Sequence, residues 1–278
     1  MKRFIIIIGY ICLVLILTLL TQVGGLILIG CLPLLRRIRK NISQTRKRRL
    51  LQMGTFLGIY LLFTCFLIPP LARIGGRVPL PLFGSSTLKP LNAGTYFLNR
   101  QYVTPALKQL LLDSSEEMTK RYPGSIVAYM DANHPFGNGY PLVPHLSHKD
   151  GKKVDIAFFY RKKKNQKAVH RRALTWIGYG GCELPKAGEF DQPSDCRKRG
   201  YWQYSLLYLL SPPWIGRRLE LDSQRTKTYL EILAKNRGTG KIFLEPHLKT
   251  RLGMSHYTKV RFHGCHAVRH DDHIHLQL

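Results

Sequence analysis

The chain has 278 residues, 45% of them hydrophobic, and carries 43 Lys and Arg against 16 Asp and Glu, a formal net charge of +27. A chain of this length and apolar content can bury a core unaided, which rules out a wholly disordered chain and a disulfide-only miniprotein. Six Cys with no Cys-x-x-Cys pair speak against a zinc ribbon or a thioredoxin-type redox motif.

The charge is unevenly placed. Residues 1–72 contain no Asp or Glu and ten Lys or Arg: Lys2, Arg3 and eight between Arg36 and Arg49. Residues 73–278 carry the other 33 basic residues and all 16 acidic ones, a net of +17. From Phe4 to Leu35 runs an uncharged stretch of 32 residues, and a second, Leu50 to Ala72, has 23. Each exceeds the roughly 20 helical residues that cross a bilayer core, and Gln22, Gly24 and Gly25 are candidate points for a break or bend in the first. Residues 1–72 are therefore expected to form a transmembrane hairpin, two spans joined by the basic loop 36–49. A cleaved signal peptide fits less well, because the first run is too long and shows no small-x-small site. Eight cations between the spans predict a cytoplasmic loop, which puts both termini and everything after Ala72 outside the cytoplasm. Lys2 and Arg3 oppose this assignment. The loop's charge reads as topology setting and lipid headgroup contact rather than nucleic-acid binding.

Residues 73–95, rich in Pro, Gly and Ser, read as a linker, with a domain from 96 to 278. Thr104-Pro105 opens a helix, with Thr as N-cap and Leu107, Leu110, Leu111 and Met118 on one face; it stops near Tyr122-Pro123-Gly124. Strands are predicted at 125–129, at Val154–Tyr160, at 241–244 and over the final HIHLQL, and a helix follows Asp222-Ser223. Residues 161–170 read as a basic, solvated turn, and 178–200 as irregular and Gly-rich. Strands mixed with helices, without βαβ alternation, predict an α+β fold with a small, mostly antiparallel sheet and flanking helices.

Two segments carry chemistry: His145-Leu-Ser-His148 through Asp155, and His270-Asp271-Asp272-His273-Ile274-His275. In a strand, alternate side chains share a face, so His273 and His275 point one way while Ile274 and Leu276 point to the core. Asp155 likewise lies opposite Val154 and Ile156. A His, an Asp and a His supply three ligands to Zn2+ and leave one position for water. A His-x-His pair alone is weak evidence, since core and surface histidines are commoner. The combination with His-x6-Asp at a strand start is what points to a metal site.

The His148-x6-Asp155 spacing resembles the metal motif of the lysostaphin/D-Ala-D-Ala-peptidase/hedgehog-type metallopeptidases. His270-Asp-Asp-His-Ile-His275, with His145 three residues before His148, resembles the penicillin-insensitive murein endopeptidase branch. Phe243-Leu-Glu-Pro-His-Leu-Lys-Thr-Arg-Leu252 is similar to the segment before that branch's last active-site strand. The resemblance spans about 100–278 and is specific only in the two metal motifs. It implies His148, Asp155 and His275 as ligands of one Zn2+, His273 as an unliganded catalytic histidine, and His270 where related peptidases carry a glutamate base. His145 would line the site, and Asp271 and Asp272 would orient imidazoles. The double span and the basic segment 160–220 depart from the family pattern.

The resulting expectation is a zinc metallo-endopeptidase in the inner membrane, its domain periplasmic, cleaving D-Ala–diamino acid cross-links of peptidoglycan. Its partners would be peptidoglycan and, through the two spans, membrane lipid, with no nucleic acid. A D-Ala carboxypeptidase of the same fold and a non-catalytic peptidoglycan-binding module with a structural zinc are the alternatives. In an oxidising compartment Cys182 and Cys196, flanking one loop, are the disulfide expected; Cys265 has no evident partner. Trp202 and Tyr204 are candidates for a groove or the core.

Overall fold

The computed structural model describes residues 2–211, 216 and 218–278. Helix α1 (Lys2–Thr21) turns at Gln22 and Val23 into α2 (Gly24–Asn41). Helix α3 (Thr45–Leu62) continues through a π-helical turn, Phe63–Leu67, into α4 (Ile68–Ile74). Among the described residues, two helices are long and apolar enough to cross a membrane, over Phe4–Thr21 and Thr45–Ile74.

The run Phe4–Leu35, read as one span, is therefore two packed helices. Gln22 takes a left-handed φ of 67°, which stops α1. Gly25 lets the helices close: a Cβ there would lie 2.0 Å from Thr18 Oγ1. Arg36 and Arg39 border a cavity with Ile7 and Tyr10, so the start of α1 lies beside the basic end of α2. Residues Thr45–Ile74, 30 in number, extend about 45 Å at 1.5 Å per residue, more than the ~30 Å of a bilayer core. The excess is covered by the rest of the chain, with Thr64, Ile68 and Ala72 buried. Tyr60 Oη donates to the Phe97 carbonyl at 2.6 Å and accepts from Asn99 Nδ2 at 3.0 Å.

The segment expected to be a linker is part of the fold. It holds β1 (Val78–Pro79) and β2 (Leu88–Pro90), and Leu80, Leu88 and Leu91 join the main core. Arg77 is buried and donates to the carbonyls of His134, Gly137 and Lys149 and to Asn138 Oδ1. Next come α5 (Gly94–Phe97), β3 (Tyr102–Val103), α6 (Pro105–Arg121), β4 (Val127–Tyr129) and β5 (Lys153–Ala157). The expected strand 154–160 ends at Ala157; β6 (Tyr160–Lys162) and β7 (Ala168–Val169) form a separate hairpin. The chain then runs through α7 (Gln192–Lys198), α8 (Leu206–Leu210), β8 (Leu219–Leu221), α9 (Ser223–Lys235), β9 (Lys241–Phe243), α10 (Pro246–Arg251), β10 (Val260–Arg261) and β11 (His273–Gln277). Helices α6 and α9 start where the sequence predicts. Thr104 Oγ1 accepts from Leu107 N at 3.4 Å and Asp222 Oδ1 from Arg225 N at 3.1 Å.

The fold is α+β, but its sheets are mixed. The main sheet runs β10-β9-β11-β5-β4-β2. Its three central pairings are antiparallel and both outer ones, β10–β9 and β4–β2, are parallel. Strands β7-β6-β8 form a second sheet. Helices α6 and α9 contribute Leu107, Leu111, Leu230 and Leu233 to a core closed by Val154, Ile156, Ile274 and Leu276.

Candidate metal centre

Cross-strand register creates the site. On the adjacent antiparallel strands β5 and β11, Asp155 and His275 stand directly opposite each other. Their neighbours Val154, Ile156, Ile274 and Leu276 are fully buried on the other face, as the alternation requires. His148 comes from the loop after β4. The buried Asn133 shapes that loop, donating from Nδ2 to the Lys153 carbonyl at 2.8 Å and accepting from Gly151 N at 3.1 Å.

His148 Nδ1 lies 2.6 Å from the Ala132 carbonyl. Nδ1 therefore donates to that carbonyl, and Nε2 is the nitrogen turned towards the cluster. That atom is 3.2 Å from Asp155 Oδ1 and 3.1 Å from His275 Nδ1, and His275 Nδ1 is 2.9 Å from Asp155 Oδ1. A contact this close between Nε2 and Oδ1 is favourable with a positive charge between them, either a proton on the imidazole or a metal ion. Metal bonds of about 2.0–2.2 Å place tetrahedral ligands roughly 3.3 Å apart, close to this triangle. The Nδ1 bond of His148 also matches the usual support for a ligating imidazole. The donor set fits a metal ion.

The other predicted residues gather around the triangle. His145 Nδ1 is 2.8 Å from Asp155 Oδ2, and its ring stacks on that of His273 with centroids 5.6 Å apart. His273 Nδ1 bonds Asp272 Oδ1, while its Nε2, 3.4 Å from Asp155 Oδ1, has no hydrogen-bond partner. His270 lies 5.1 Å from His273 and 5.4 Å from His275 between ring centroids, with Nδ1 unpartnered. His270, His273 and His275 form one buried group that could hold a metal ion, and His145, His148 and Asp155 another. Asp272 orients an imidazole as expected, and its Oδ2 accepts from Gly180 N at 2.6 Å. Asp271 does not: it pairs with Arg269 and lies 3.9 Å from His247.

Burial would raise the Asp155 carboxyl, but the surrounding His148, His273 and His145 outweigh it and hold it well below the usual carboxylate range. Burial lowers His273, yet Asp155 and Asp272 reverse this and push it up to about 10. Burial and the neighbouring rings of His273, His275 and His263 hold His270 far below an ordinary imidazole. The cluster thus contains one firmly ionised carboxylate and imidazoles of opposed basicity, the pattern of a functional site.

Several contributors were invisible in the sequence reading. Tyr179 Oη donates to Asp155 Oδ2 at 2.8 Å and accepts from Asp131 N at 3.2 Å. The signal for it was its glycine setting. Gly180 has φ +79°, and a Cβ there would come within 1.9 Å of Ser211 Oγ. His263 stacks on Phe243 with centroids 4.0 Å apart, 6.0 Å from His275. The buried Glu245 accepts from His270 N at 3.1 Å and from Tyr204 Oη. Tyr204 is thus a core residue, while Trp202 is 68% exposed.

The disulfide differs from expectation. Cys196 bonds Cys265, with Cα atoms 5.4 Å apart, and Cys182 keeps a free thiol. Proximity in sequence misled, because Cys196 of α7 and Tyr204 of the following turn pack against Cys265, whereas Cys182 lines cavities beside Asp272 and Tyr208. The bridge ties α7, just ahead of the segment Trp202–Leu210, to the loop before β11. That segment closes over the centre: His145 and His273 border a cavity of about 10 Å3 with Gln203, Tyr204, Leu207 and Tyr208. Such a space admits roughly one water. In comparisons with known proteins, no protein-family model matches the chain, and no curated protein matches it.

Proposed function

We propose that the chain is a membrane-anchored zinc metallopeptidase that hydrolyses D-Ala–diamino acid cross-links in peptidoglycan. The observation that carries the reading is the convergence of His148 Nε2, Asp155 Oδ1 and His275 Nδ1 within 3.2 Å, with His273, His145 and His270 around them. Three protein ligands of N and O type suit zinc and leave a position for solvent. When bound, the metal would polarise the scissile carbonyl and acidify a water. His148, Asp155 and His275 would hold it, with Ala132 and Tyr179 orienting His148 and Asp155. Asp272 fixes His273 so that Nε2 faces the centre, where it can pass a proton to the leaving amine. His145 and His270 would contact the developing oxyanion.

The packing of α1 against α2 bears on topology. It brings the start of α1 to the same end as the basic loop 36–49, so the N-terminal Lys2 and Arg3 of the sequence no longer oppose the loop's assignment. We infer that this side is cytoplasmic, with the N-terminus, and that the domain is periplasmic.

The test is digestion of purified cross-linked murein by the full chain in detergent. Loss of dimeric fragments with gain of monomers supports the endopeptidase. Shortened stems mean a carboxypeptidase. The small, covered cavity favours one second reading, a peptidoglycan-binding module with a structural ion; no cleavage with or without added zinc decides for it.

A further inference from the structure

The basic segment 160–172 and β8 build a feature that the metal centre does not use. Hairpin β6–β7 and strand β8 place Lys162 opposite Leu219 and join Lys163 N to the Arg218 carbonyl at 3.1 Å. The result is an open groove of about 1350 Å3 bordered by Lys162, Lys163, Lys164, Arg171, Arg172 and Arg218. All six are exposed, and none forms an ion pair among the described residues. No carboxylate borders the groove among the described residues, and Trp176, 73% exposed, lies along it. Six like charges facing one concavity repel each other, and an anion relieves that cost.

The groove lies in a row of cavities that reaches the candidate metal centre. Lys163, Thr175 and Leu219 border both it and a second cavity of about 740 Å3. That second cavity shares Cys182 and Tyr208 with the small cavity at His145 and His273. The cationic groove, the second cavity and the small cavity at the cover of the candidate centre are thus successive neighbours, each sharing lining residues with the next.

We propose that the groove is a substrate subsite that holds a carboxylate-bearing strand of the wall polymer while a neighbouring cross-link lies at the metal centre. Lys and Arg pair with stem carboxylates, and Trp176 offers an apolar plate to a sugar face. Proximity to the centre, through lining residues shared from groove to second cavity to cover, favours the substrate polymer over a lipid surface or a nucleic acid as the occupant. The proposal rests on the peptidoglycan reading above.

The experiment is co-sedimentation of the full chain, in detergent with the metal chelated, with insoluble cross-linked murein at low ionic strength. Binding is read without hydrolysis. The triple variant Lys162→Ala/Lys164→Ala/Arg172→Ala is expected to bind about tenfold more weakly, and less salt-sensitively, than the wild type. Lys120→Ala/Lys235→Ala/Arg237→Ala, which removes equal charge from other exposed positions, is expected to bind as the wild type does. Equal loss in both triples overturns the proposal in favour of general charge attraction. So does a groove variant that still binds murein but no longer binds anionic phospholipid vesicles or a single-stranded oligonucleotide. Groove-dependent binding by a chain that never cleaves murein leaves the subsite standing and removes the hydrolase.

Discussion

Gln22 and Phe136 exchange two hydrogen bonds across 114 residues of sequence: the Gln22 side-chain amide donates to the Phe136 carbonyl at 2.7 Å, and Phe136 N donates to Gln22 Oε1 at 2.8 Å. Tyr140 Oη adds a bond to the Thr18 carbonyl at 2.6 Å. The turn between α1 and α2 therefore grips the loop that carries His145 and His148. Arg77 holds the same loop from the other flank. The apolar helices are in this way part of the scaffold of the metal centre.

Gln22→Ala is accordingly expected to weaken metal binding about tenfold, the scale on which outer supports of ligands act. The fold should survive, since net losses of about 1 kcal/mol per hydrogen bond are small. Zinc titration of the detergent-solubilised chain against a chelating dye measures this. Unchanged affinity would show that the loop is held without the turn.

Removing a ligand should abolish metal uptake. His148→Ala and Asp155→Asn are expected to contain little zinc by elemental analysis, and a chelator should lower the unfolding temperature of the wild type but not of either variant. A ligand at 100 times its dissociation constant stabilises by about 2.7 kcal/mol, enough to see.

His273→Ala is expected to retain zinc and to lose activity on cross-linked murein by about 10²–10⁴-fold, the usual contribution of a positioned proton donor. Full activity in this variant would remove His273 from the mechanism.

The legible parts of the sequence were those written in local pattern. Alternation in β11 and around Asp155 set which side chains face the core, and Thr104 and Asp222 marked helix starts by their own capping chemistry. What stayed hidden depends on contacts between distant segments. Nothing local states that Asp155 stands opposite His275, or that Leu88 pairs with Val127 and turns a Pro- and Gly-rich stretch into an edge strand. The place of the break was legible in Gln22, Gly24 and Gly25, but that α2 folds back onto α1 depends on their packing, which no local pattern states. Tyr179 reaches Asp155 from a segment without regular structure, where no period exists to read.

The Cys196–Cys265 bridge closes a loop of 69 residues. Chain-entropy scaling gives about 4 kcal/mol for such a closure. Cys196→Ser or Cys265→Ser should lower the unfolding temperature and loosen the segment over His273, seen as faster hydrogen exchange at Trp202–Leu210. Cys182→Ser should do neither. Mass mapping of a Cys182 bridge would contradict the pairing.

Glu245 gives a pH signature with a definite sign. It is fully buried between Tyr204 Oη and His270 N, and burial first, then the charge of Asp271, push its carboxyl up from 4.5 to about 7. Between those values the folded chain keeps a proton that the unfolded chain has released. Stability therefore falls as pH rises through this window, by roughly 3 kcal/mol at most. The lowered histidines, His134, His170, His247, His263, His270 and His275, act in the opposite sense and cost stability as pH falls below about 6.5, the ordinary imidazole value. Comparing the wild type with Glu245→Gln cancels their contribution. The Gln variant can still accept from Tyr204 and His270 but does not titrate, so its stability relative to the wild type should improve steadily from about pH 4.5 to 7. Thermal unfolding in detergent, followed by tryptophan fluorescence across that range, reads the difference; a constant gap would mean that Glu245 is ionised in the fold.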